Sequence, residues 1–169
     1  MKYFTGRDAA IAGIFCALGI IIPLLFHCIG LGSFFLPMFI PIALAGFFIS
    51  VPAAATAGVI TPLLSFLLTG MPPFFPPIAP IMCIELSVFG GSISFFYRIV
   101  KWNIWISIII AIAIDRSIFV IILLAVVPLF KIPAGLLTIG IVLWQIPGII
   151  LIIAVVPFGV KVINRAISL

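Results

Sequence analysis

Residues 70–91 read GMPPFFPPIAPIMCIELSVFGG, a proline-crowded loop that opens into an apolar helix carrying Glu85. A carboxylate so placed lies near the middle of a bilayer if the helix spans one. Ionisable groups at that depth cost roughly 2.5 kcal/mol or more and persist where a partner, a cavity or a ligand compensates them. The remainder of the chain is therefore read as the scaffold that compensates Glu85.

The 169 residues fit one domain, residues 1–169, but 66% are hydrophobic and 7% charged, far from the composition of a soluble globule. The apolar runs are helix-length and lack the alternation of an outer-membrane barrel. The expected fold is an all-α integral membrane protein, a six-transmembrane-helix bundle embedded in the lipid bilayer. Its spans are expected at about 8–26, 36–50, 52–68, 78–97, 103–127 and 134–156.

The net charge of +5 arises from single, scattered basic residues with no stripe of interleaved aromatics, so nucleic acid is not an expected partner. Lys2, Arg7, Arg98, Lys101, Lys161 and Arg165 all fall inside if both termini are cytoplasmic, leaving Lys131 outside. This is the positive-inside asymmetry. The three cysteines, Cys16, Cys28 and Cys83, are widely spaced and read as small core residues, with no metal-ligand spacing. The first apolar run lacks a convincing small-residue cleavage site and reads as a retained span.

Along the first span, Ala9, Gly13 and Ala17 recur every four residues as a small-residue ridge. Such a ridge serves close helix packing, either within the chain or on a separate subunit. An uncharged outer loop follows, and His27 at its start is a candidate ligand contact. The second and third spans are short, and Pro37, Pro41 and Pro62 favour bends or irregular backbone in them. The prolines of the loop before Glu85 fix its backbone, so Phe74 and its neighbours suit a rigid aromatic lid.

Polar residues recur in the last two spans. Asp115 and Arg116 stand together in the fifth, about 100° apart around the helix, so they need not pair with each other. Arg116 is the expected partner of Glu85, leaving Asp115 to a neighbouring helix or to the edge of the same guanidinium. In the sixth, Trp144-Gln145-Ile146-Pro147-Gly148 places a kink-forming proline beside Gln145. At 1.5 Å per residue, Glu85 lies roughly 11–14 Å below the outer helix ends, Gln145 about 16 Å and Arg116 about 17 Å. An acceptor, an amide and a fixed cation thus share a layer.

For an enzyme the chain offers little: no HExxH, GxSxG or Walker loop, no metal-spaced cluster and nothing that calls for a cofactor. Without a phosphate loop, energy for transport must come from a gradient or a partner. A buried Glu85–Arg116 pair could also serve structure alone, although desolvation makes such pairs weak stabilisers.

Taken together, the helix-one ridge, FLPMFIP at 35–41, GMPPFFP at 70–76, Ile84-Glu85-Leu86, Asp115-Arg116 and Ile146-Pro147-Gly148 resemble the substrate-binding S component of an energy-coupling factor (ECF) vitamin transporter. Where such proteins commonly have a histidine after Pro-Met, this chain has Phe39. The resemblance implies a prokaryotic cell-membrane protein that captures a small vitamin outside. It would then topple to deliver it inward on a transmembrane scaffold subunit served by two cytoplasmic ATPases. It also implies that the ridge Ala9, Gly13, Ala17 slides on the scaffold. Glu85, Arg116, Gln145, Trp144, Asp115, Phe74 and His27 are the candidate ligand contacts, and pantothenate or a pyridoxine-like compound the first cargoes to consider. The competing reading is a proton-coupled secondary transporter in which Glu85 and Asp115 carry protons, although no inverted repeat is visible.

Overall fold

The structure, a computed structural model, describes residues 4–28, 30, 35–75, 77–130 and 145–167. Among these, all regular structure is helical: α1 Gly6–Cys28, α2 Phe39–Phe48, α3 Val51–Thr69, α4 Ile78–Ser94, α5 Ile104–Phe130 and α6 Ile146–Ile167. A π-helical turn, Phe95–Ile99, continues α4. Five of these helices are long and apolar enough to cross a membrane, and α2 is a shorter apolar helix. The chain is thus a multi-pass membrane protein.

Local chemistry sets several of the boundaries. Thr5 and Asp8 exchange side-chain and backbone hydrogen bonds at 3.2 and 3.3 Å, a capping box at the head of α1. Asn103 Oδ1 accepts from the Ile106 N–H at 2.8 Å and caps α5. Gly70 ends α3 in the left-handed region, φ 73°, where its N–H reaches the Phe66 carbonyl at 2.8 Å.

Two helices differ from the sequence reading. The second is shorter than 36–50, because Leu36 takes a positive φ of 47°, Pro37 follows, and regular helix begins only at Phe39. Its ten residues rise about 15 Å, half of a hydrocarbon core. Pro41 lies in its first turn, where the missing N–H costs no helical bond and imposes no bend.

The sixth helix runs past 156 to Ile167, because Ile152, Val156 and Val160 extend one buried stripe at four-residue spacing. Its expected first part, residues 134–144, lies outside the described residues. Gln145 is a turn residue and Pro147 occupies the first turn of α6, where its missing N–H costs no helical bond; the expected kink involves residues 134–144 and lies outside the described residues.

Helix α2 is the axis of the bundle, its side chains buried at eight of ten positions among α1, α4 and α6. The tightest packing joins α3 to α4 through glycine. A Cβ on Gly58 would lie 2.3 Å from the Leu86 carbonyl oxygen, and one on Gly90 would lie 3.2 Å from that of Ala54. On the other flank, a Cβ on Gly46 of α2 would lie 2.9 Å from the Gly90 carbonyl oxygen. Backbone-to-backbone approach of this kind is what small residues permit between membrane helices.

One end of the bundle is tied by side chains. Ser50, between α2 and α3, donates to Asp8 Oδ2 at 2.8 Å, and Ser94 of α4 donates to the Ile49 carbonyl at 2.8 Å. At the opposite end, a Cβ on Gly148 would come within 2.8 Å of the Phe35 backbone, so the head of α6 presses on the segment leading into α2.

Candidate substrate site

Glu85 is the eighth residue of α4, about 10 Å from the helix start, and its side chain is 6% exposed. Arg116 of α5 donates from Nη2 to Glu85 Oε1 at 3.1 Å. The same guanidinium grips its neighbour Asp115, with Nη2 at 2.5 Å and Nε at 2.9 Å from Oδ2. Of the two places open to Asp115 in the sequence, the edge of this guanidinium is the one it takes. Nη1 donates to Oε1 of Gln145, the turn residue just before α6.

Two aromatic rings complete the setting. The Arg116 Cζ lies 5.5 Å from the Phe39 ring centroid and 5.2 Å from that of Phe119. Cation–π contact offsets part of the desolvation of a buried guanidinium. These two contacts were not legible in a chain with 17 phenylalanines. Phe39 fills the position after Pro-Met and faces the Arg116 guanidinium.

Glu85, Asp115, Arg116 and Gln145 are thus brought together from α4, α5 and the head of α6, beside the first residue of α2. His27 and Phe74 have their described contacts elsewhere. His27 is exposed in the last turn of α1, where its carbonyl accepts the Gly30 N–H at 3.0 Å. Phe74 is exposed on the loop before α4, its ring tilted on Phe66 at 4.5 Å. Trp144 lies outside the described residues.

The cluster contains acceptors, an amide and a cation but no nucleophile, and the described residues contain no group of three metal-ligating side chains.

The ridge residues Ala9, Gly13 and Ala17 face outward from α1. With Ala53, Ala57 and Ile60 of α3 they line a groove of about 410 Å³ with almost wholly apolar walls. The inner packing of α1 uses a different face, on which Gly19 meets Thr61 closely enough that a Cβ would lie 2.6 Å from Cγ2.

The family model of the ECF transporter substrate-specific component matches residues 7–160. This chain belongs to that family. No curated protein and no solved structure matches the chain. The match covers the Glu85–Arg116 cluster and the α1 groove together. It makes the chain the substrate-capture component of an ECF importer, in a family of transporter components. A small-molecule substrate and the ECF module are its implied partners, and a prokaryotic plasma membrane its implied location.

Proposed function

We propose that this S component captures a small water-soluble vitamin or precursor, from the outer face, at the layer formed by Glu85, Asp115, Arg116 and Gln145. The carrying observation is the cluster itself: ionisable groups from two helices, joined by an amide from a third, at membrane depth. Six spans with both ends cytoplasmic place the α1 head and the α2–α3 corner inside. The loop of residues 70–77 then lies outside, above Glu85. Pantothenate and pyridoxine-like compounds are the first cargoes to try.

Delivery by toppling requires a surface that slides on the scaffold subunit, and the outward ridge Ala9, Gly13, Ala17 supplies one without side chains to interlock. Phe74 and His27 belong to the outer segments that would close over the solute, and Trp144 is a candidate ring contact beside Gln145.

The test is uptake into vesicles. The chain with its scaffold and ATPases should accumulate a radiolabelled cargo only with internal ATP, whereas the chain alone should bind it without net uptake. Accumulation by the isolated chain under a pH gradient would overturn this reading in favour of a proton-coupled carrier.

A further inference from the structure

The charges of the cluster do not balance. Two carboxylates, Glu85 and Asp115, share one guanidinium, so the fully ionised group carries a net −1. Four of the five guanidinium N–H groups are already engaged: Nε and both on Nη2 with carboxylates, and one on Nη1 with Gln145. The phenylalanine rings of Phe39 and Phe119 stand 5.5 and 5.2 Å from its Cζ. Arg116 is therefore occupied, with a single N–H left to offer and no bidentate edge for a carboxylate or phosphate.

The opposite holds for acceptors. Asp115 is 2% exposed, and its Oδ1 is buried without a hydrogen-bond donor among the described residues. A buried carboxylate oxygen without a donor is costly, and a cation beside it repays that cost more fully than a neutral donor does. Fully ionised, the site is one positive charge short, and it lacks at least one donor.

We propose that the solute captured here carries a positive charge, as an ammonium or a protonated or quaternary ring nitrogen, which seats against the carboxylates of Asp115 and Glu85. This rests on the capture reading above and narrows it: an anionic cargo such as pantothenate is excluded, and a cation of pyridoxine-like size is admitted. The free Nη1 N–H is left for a hydroxyl or carbonyl of the same solute.

The experiment is thermal unfolding of the detergent-purified full chain in sodium-free and potassium-free buffer with a panel sorted by charge. Thiamine and pyridoxamine serve as cations, nicotinamide and riboflavin as neutral compounds, pantothenate, nicotinate and biotin as anions. The expected result is a saturable rise in Tm with a cationic compound alone. Asp115→Asn, which preserves shape and removes the charge, should weaken binding of that compound at least about tenfold, which is 1.4 kcal/mol. Should that variant unfold, Glu85→Gln provides the same readout from the other carboxylate.

A Tm rise with an anionic or neutral compound, with or without dependence on Lys131, would overturn the charge assignment and leave the capture reading standing. So would a rise with sodium or potassium chloride alone, which would make an inorganic ion the missing charge. No rise with any compound, in a chain shown to be folded, would count against the capture reading itself.

Discussion

Arg116 Nη2 lies 3.1 Å from Glu85 Oε1 and 2.5 Å from Asp115 Oδ2, so one nitrogen of α5 serves a carboxylate on α4 and another on its own helix. The contact joins two spans through a charge that neither carboxylate holds alone. Removing either partner of a buried pair leaves the other without compensation, a larger loss than the pair's net contribution.

Arg116→Met therefore strands two buried carboxylates and should destabilise the folded chain by about 3–5 kcal/mol, the range for breaking a buried pair. Glu85→Gln should cost less, since the amide oxygen still accepts from Nη2 and Asp115 still neutralises the guanidinium. Equilibrium unfolding in mixed detergent micelles compares the two. Equal losses would contradict the shared-cation geometry.

Gly58→Ala should destabilise by at least about 1–3 kcal/mol, the cost of overpacking, because the new methyl would meet the Leu86 carbonyl oxygen at 2.3 Å and force α3 from α4. Gly13→Ala is the control on α1: a Cβ there meets nothing within 4 Å, and its Tm should stay within error of the parent.

The chemically expensive residues were legible in the sequence. Glu85, Asp115 and Arg116 stand out because a charge inside an apolar run needs compensation, and depth counting along helices placed Glu85 and Arg116 near each other. The glycines were not legible in the same way. With 14 glycines in the chain, nothing local marks Gly58 and Gly90 as the points where backbones touch, since that depends on the faces α3 and α4 present to one another. Pro147 suits both a kink and a first turn, and its place in the first turn of α6 follows from the turn at Gln145, which no local sequence signal marks. Asp8 was not singled out as a tether because its bond to Ser50 is tertiary and nothing local marks it.

Asp8→Asn should cost about 1–2 kcal/mol. The amide retains one acceptor for the Ser50 hydroxyl at 2.8 Å but loses the charge-assisted bonds to it and to the Thr5 N–H. Ser50→Ala should cost a similar amount, and the double variant less than the sum, because both remove one contact. Additive losses in a double-mutant unfolding cycle would show that the two residues act separately.

Gly13→Leu tests the outward face of α1. The side chain would project into the groove between α1 and α3, leaving the Glu85–Arg116 layer untouched. Ligand binding and Tm of the isolated chain should be unchanged, while co-purification with the scaffold subunit and ATPases should fall at least about tenfold. Retention of full assembly would remove the ridge from the docking surface.

The central claim is that the Glu85, Asp115, Arg116 and Gln145 layer is the place of capture. The most direct measurement is equilibrium titration of the purified parent chain and of Arg116→Met and Glu85→Gln, each shown helical by circular dichroism, with the compound that raises the parent's Tm. The account predicts one saturable site in the parent, at least about tenfold weaker binding in folded Glu85→Gln, and a changed affinity in folded Arg116→Met, where both carboxylates are left to the solute alone. Unchanged affinity in a folded variant would contradict it and move the capture site elsewhere in the chain.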